Sequence, residues 1–63
     1  MLNGEKIKEL MEKRTMLQKD LADMVGVSEM MISYIIRGFK NPSVEVAKRI
    51  ADSLGVTVDE LIK

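Results

Sequence analysis

The sequence predicts an all-α fold of five short helices, read as a single domain over residues 1–63. Three observations carry this. Apolar residues recur at spacings of three and four, the period of a helix with one buried face. Gly26, Gly38 and Gly55 interrupt that pattern where helices would stop. The one alternating β-branched run, Val56-Thr57-Val58, fits a helix start better than a strand.

Helix one is predicted over Glu5 to Lys13, burying Ile7, Leu10, Met11 and the aliphatic stem of Arg14. Glu5 at its start and Lys13-Arg14 at its end suit the helix dipole. Thr15-Met16-Leu17 connects it to helix two, Gln18 to Val25, whose inward face is Leu21, Ala22 and Val25. Leu17 falls at the N-cap of helix two, where it offers no side-chain acceptor to the leading amides. Helix three follows Ser28, a good N-cap, with Glu29 in its first turn and Ile32, Ile35 and Ile36 inward. Gly38 ends it, and Pro42 pushes Asn41 out of the helical region. Ser43 caps helix four, which runs to Leu54 with Val44, Ala47, Ile50, Ala51 and Leu54 as its inward stripe. Thr57-Val58-Asp59-Glu60 is a capping box for helix five, Val56 its staple, and Leu61 and Ile62 its anchors.

Composition narrows the functions. The chain has no cysteine and no histidine, which removes thiolate and imidazole from both metal binding and catalysis. Five short helices leave little room for a cleft, so neither an enzyme nor a metal- or cofactor-dependent protein is expected. The longest apolar runs are far shorter than a membrane span, and the N-terminus lacks the pattern of a signal peptide. A cytoplasmic location is the expectation, with no membrane partner. Ten acidic residues balance ten basic ones. That argues against broad polyanion binding, which needs clustered cations, but leaves room for a locally basic edge.

Helices two and three are joined by Gly26-Val27-Ser28, a link of helix-turn-helix length. That motif usually presents its second helix to the major groove. The whole chain resembles the Cro/repressor-type domains, also called the xenobiotic-response-element family. The resemblance rests on Gly4-Glu5-Lys6-Ile7-Lys8, Gln18-Lys19-Asp20-Leu21-Ala22, Val25-Gly26-Val27-Ser28 and Ile32-Ser33. It continues through Gly38, Asn41-Pro42-Ser43, Ala51-Asp52-Ser53-Leu54-Gly55-Val56 and Asp59-Glu60-Leu61. It implies a compact five-helix repressor-like domain that binds double-stranded operator DNA, usually as a homodimer. By position, Gln18, Ser28, Arg37, Lys40 and Asn41 would contact the DNA backbone. Glu29, Met30, Ser33 and Tyr34 would face base edges.

The chain departs from the family in two places. Many members carry an arginine at the position of Met11 and a glutamate at that of Ile36, paired between helices one and three. Both positions are apolar here. Losing one partner would strand a buried charge at a cost of roughly 3–5 kcal/mol, whereas replacing both with packed apolar groups is often neutral or stabilising. The second departure is the outward face of helix three, which lacks the amide or guanidinium that gives the strongest base discrimination. Glu29 can accept from a cytosine amino group, Met30 and Met31 can pack on thymine methyls, and Tyr34 can hydrogen-bond a base or phosphate. Met31 is expected to lie half-buried against helix two.

Two functions compete. One is a DNA-binding transcriptional regulator, a repressor or phage-type control protein. The other is a protein-binding module on the same scaffold, natural or engineered, using Leu17, Met24, Met30, Tyr34 and Phe39 as an apolar contact patch. Exposure of those five side chains discriminates the two, since apolar stripes at helical spacing are more often core.

Overall fold

Each helix begins on a short polar side chain that takes up a leading amide, with one exception. In the computed structural model, which describes residues 2–62, α1 spans Gly4–Lys13, α2 Gln18–Val25, α3 Glu29–Ile36, α4 Val44–Leu54 and α5 Val58–Ile62. Asn3 Oδ1 accepts from the Lys6 amide at 3.1 Å, so α1 starts one residue before the Glu5 expected from sequence. Ser28 Oγ accepts from Met31 N–H at 3.0 Å, Ser43 Oγ from Val46 N–H at 3.2 Å and Thr57 Oγ1 from Glu60 N–H at 3.3 Å. Such caps contribute about 1 kcal/mol each. Leu17, ahead of α2, has no acceptor to offer. Asp20 supplies the other half of a capping box, its Oδ2 accepting from the Leu17 amide at 3.0 Å.

The first four helices close alike. A left-handed residue follows each last turn: Thr15 (φ 53), Gly26 (φ 85), Gly38 (φ 79) and Gly55 (φ 72). The next residue's amide then reaches back to a carbonyl five positions earlier. Met16 donates to Met11 at 2.9 Å, Val27 to Ala22 at 3.1 Å, Phe39 to Tyr34 at 2.8 Å and Val56 to Ala51 at 3.0 Å. This is the Schellman arrangement, which satisfies carbonyls that the helix itself leaves unpaired. Glycine adopts the left-handed conformation freely. Thr15 adopts it at a cost, and nothing in the connector's composition announced that.

The core takes Ile7 and Met11 from α1, Leu21, Ala22 and Val25 from α2, and Ile32 and Ile35 from α3. Ile50, Ala51 and Leu54 of α4 and Leu61 of α5 complete it. Burying one such branched side chain contributes roughly 1.5–3 kcal/mol. Met11 is buried and Ile36 packs against the same cluster. Among the described residues no polar or charged side chain is buried, so an apolar Met11 and Ile36 leave no charge stranded between α1 and α3.

Two expected core positions turn outward. Val44 is 87% exposed and Ile62 51% exposed. Val44 opens α4 directly after its cap and lies at the rim of a depression shared with Val58 and Ile62 of α5. Ile62 shares a helix of five residues in which one inward position, Leu61, satisfies the core.

Three contacts lock the helices together. α1 meets α3 where Gly4 lies against the Ile36 carbonyl so closely that a Cβ there would overlap it. The Asn3 amide donates to the Leu61 carbonyl at 2.6 Å, joining the start of α1 to α5. Arg49 of α4 reaches α2, with Nη1 donating to the Val25 carbonyl at 3.3 Å and Nη2 pairing with Glu45 at 3.0 Å.

Candidate nucleic-acid interface

α2 and α3 pack on each other and on the core through Leu21, Val25, Ile32 and Ile35, which leaves their opposite sides outward. Gln18 opens α2, and the turn at Gly26-Val27-Ser28 brings the start of α3 alongside. Gln18, Glu29, Met30, Ser33, Tyr34 and Arg37 line one open groove as a result. Every residue assigned by position to base edges is in that groove, together with two of those assigned to the DNA backbone. Glu29 and Ser33, Met30 and Tyr34, and Ser33 and Arg37 are each four residues apart, which sets them along one helical face.

Three other positions lie elsewhere. The exposed Ser28 caps α3, its Oγ accepting from the Met31 amide, which leaves its O–H free to donate. Lys40 and Asn41 are exposed and line a separate depression with Val27, Met31 and Pro42. The start of α3 carries the positive end of a helix dipole, but Glu29 in the first turn offsets it.

The apolar side chains divide. Leu17, Met24, Met30 and Phe39 are exposed, Met30 at 63% and Phe39 at 69%. Tyr34 is only half-buried and does not join them as an open apolar face. Its ring instead sits beneath a cation. The Arg37 guanidinium carbon lies 5.7 Å from the Tyr34 ring centre and 5.2 Å from that of Phe39. The two rings are 6.2 Å apart and inclined at 52°. Both separations fall within cation–π range. Met31 is half-buried against the core, as its position on α3 led us to expect.

Sequence reasoning missed this cluster. The three-residue interval from Tyr34 to Arg37 was visible, but the return of Phe39 past Gly38 depends on the left-handed turn. It also missed a second apolar depression, between the start of α4 and α5, lined by Leu2, Pro42, Val44, Ala47, Val58 and Ile62. Its signal was an inward stripe one residue longer than α4 can bury.

With the geometry in place, known proteins resolve the family. A helix-turn-helix family model matches residues 7–61. The chain is 34% identical over 59 residues to the HTH-type transcriptional regulator DdrOP3 of Deinococcus deserti, covering 94% of this chain and 46% of that protein. It thus spans about half the length of that curated relative. The DNA-binding domain of the P22 c2 repressor superposes with a TM-score of 0.91 at 33% identity, over 100% of this chain and 83% of that one. The restriction-modification controller protein C.AhdI of Aeromonas hydrophila superposes at 0.86 and 26% identity, over 92% of this chain and 88% of that one. A match running from the second turn of α1 to the last buried residue of α5 places this chain in the helix-turn-helix family, with a repressor-type domain fold.

Proposed function

We propose that this chain binds double-stranded operator DNA as a transcriptional regulator, with α3 in the major groove and residues 1–63 acting as one unit. The observation that carries this reading is the shared groove of Gln18, Glu29, Met30, Ser33, Tyr34 and Arg37. Gln18, Arg37, Lys40 and Asn41 position the protein on sugar and phosphate, with the start of α3 at Ser28 facing the same strand. Glu29, Met30, Ser33 and Tyr34 supply the base contacts. Glu29 accepts from a cytosine amino group and Met30 covers a thymine methyl, contacts available in the major groove. The work is binding rather than catalysis. Among the described residues no helix is long and apolar enough to cross a membrane, and the DNA-binding reading is consistent with a cytoplasmic location.

Selection from a random duplex pool, followed by mobility-shift titration, tests the reading. An enriched near-palindromic sequence bound well above random DNA is expected. Equal affinity for all sequences would overturn it. The salt dependence should be shallow. Arg37 and Lys40 are the cations assigned to phosphate, so the slope of log K against log salt should be roughly −2 per subunit, near −0.9 for each phosphate neutralised.

Two copies would pair through the depression between α4 and α5, where Val44 and Ile62 expose apolar surface. Sedimentation over a concentration range should reveal a dimer that Val44→Glu shifts toward monomer. A wild-type protein that stays monomeric on its operator would remove the dimer.

The exposure of Leu17, Met24, Met30 and Phe39 favours a second reading, a protein partner on the same side of the molecule. Converting Leu17 and Met24 to glutamine separates the two. DNA affinity should be preserved under the first reading, whereas a protein-binding module would lose its partner.

A further inference from the structure

We propose that Phe39 is a positioning residue, whose exposed ring, together with that of Tyr34, holds the Arg37 guanidinium at the edge of the α3 groove to meet a DNA phosphate. The proposal rests on the DNA-binding reading above and names a device within that same site. Phe39 is 69% exposed, which for a single apolar side chain is ordinary. Here the ring is occupied. Arg37 lies 5.2 Å from it and 5.7 Å from Tyr34, close enough for the ring faces to attract the cation. Among the described residues the Arg37 side chain makes no hydrogen bond or ion pair, and the one ion pair present joins Arg49 to Glu45. Its face is therefore braced while its N–H donors remain available, and a guanidinium presents those donors in a fork that matches a phosphate. An exposed arginine without such bracing loses rotamer freedom on binding, and ordering it beforehand reduces that loss.

The backbone explains how Phe39 gets there. Gly38 at φ 79 turns the chain, and the Phe39 amide donates to the Tyr34 carbonyl at 2.8 Å. That places Phe39 over Tyr34, the apolar contact that commonly accompanies this type of helix end. A helix cap alone would need only an apolar side chain at position 39. Bracing a cation needs an aromatic face. The two roles therefore separate by substitution.

The test compares wild type, Phe39→Leu, Phe39→Trp, Arg37→Ala and the Phe39→Leu/Arg37→Ala pair, in unfolding midpoint and in affinity for the selected operator at low salt. Phe39→Leu keeps the cap contact, so its unfolding midpoint should match wild type while its affinity falls about two- to five-fold per subunit, the range for an exposed cation–π contact. Phe39→Trp should restore affinity. Phe39→Leu should have no further effect once Arg37 is alanine. Equal losses from Phe39→Leu with and without Arg37, or no loss at all, would overturn the proposal. Independently of DNA, the Arg37 side-chain proton resonances should be shifted by the rings in wild type and move toward ordinary arginine positions in Phe39→Leu. Unshifted wild-type resonances would also overturn it. A wild-type protein with no sequence preference would instead overturn the DNA reading and the phosphate role with it.

Discussion

The ends of α1, α2 and α4 differ from the end of α3 in the side chain that the turn delivers. All four carry a left-handed residue and the same long backbone hydrogen bond. In the first three, the residue after the turn is Met16, Val27 or Val56, and each packs against the core. In the fourth it is Phe39, which points to solvent and lies under Arg37. Backbone chemistry that stops a helix therefore does not decide what the stopping segment is for. The side chain delivered by the turn decides it: three deliver an apolar group to the interior, and one delivers an aromatic face to a cation.

If that contrast is right, the end of α3 must be anchored by something other than its capping side chain. Gly4 is the candidate, since it lies against the Ile36 carbonyl at the last turn of α3. Gly4→Ala would force the two helices apart, and overpacking of this kind costs about 1–3 kcal/mol. Urea denaturation should show that loss. Unchanged stability would mean that α1 does not hold the end of α3.

The next effect is smaller and addresses the contrast directly. Val56→Ala should cost about 1 kcal/mol, because a half-buried branched side chain leaves the core. Phe39→Ala should cost less, about 0.5 kcal/mol, because it gives up only exposed contacts with Tyr34 and Arg37. If the two variants were equally destabilised, the four ends would be equivalent and the contrast would fail.

The smallest effect concerns the one closure made without glycine. Thr15 is exposed and left-handed at φ 53. Replacing it with glycine removes backbone strain but adds disorder to the unfolded chain, for a net gain of about 0.5–1 kcal/mol. A rise in melting temperature checks this. A fall would show that the Thr15 side chain contributes something the strain argument omits.

These residues also mark how far the sequence could be read. Ser28, Ser43, Thr57 and the glycines after α2, α3 and α4 act through local chemistry, and each was legible. The inward faces of α2 and α3 were equally clear, because periodicity records burial directly. Val44 and Ile62 misled because periodicity assigns a side to a helix without saying where the neighbouring helix stops. Thr15 was opaque because threonine rarely accepts a left-handed backbone, so composition pointed away from the truth. Gly4 fell outside the predicted helix one, and only the proximity of α3 gives it a purpose. In the candidate interface, family position gathered the groove residues, whereas the bracing of Arg37 depends on a turn geometry that no spacing rule encodes.

Arg49 carries a consequence for aim. By binding the Val25 carbonyl from α4, it fixes the last turn of α2 at the point where the link to α3 begins. α4 thus works as a strut behind the motif, and α3 is the pointer. At 1.5 Å per residue, a pointer of this length is roughly 12 Å long, so a tilt of about five degrees at the turn moves its tip by about 1 Å. That is enough to take a hydrogen bond out of range. A residue of α4, outside the groove, therefore bears on the angle at which the groove is held.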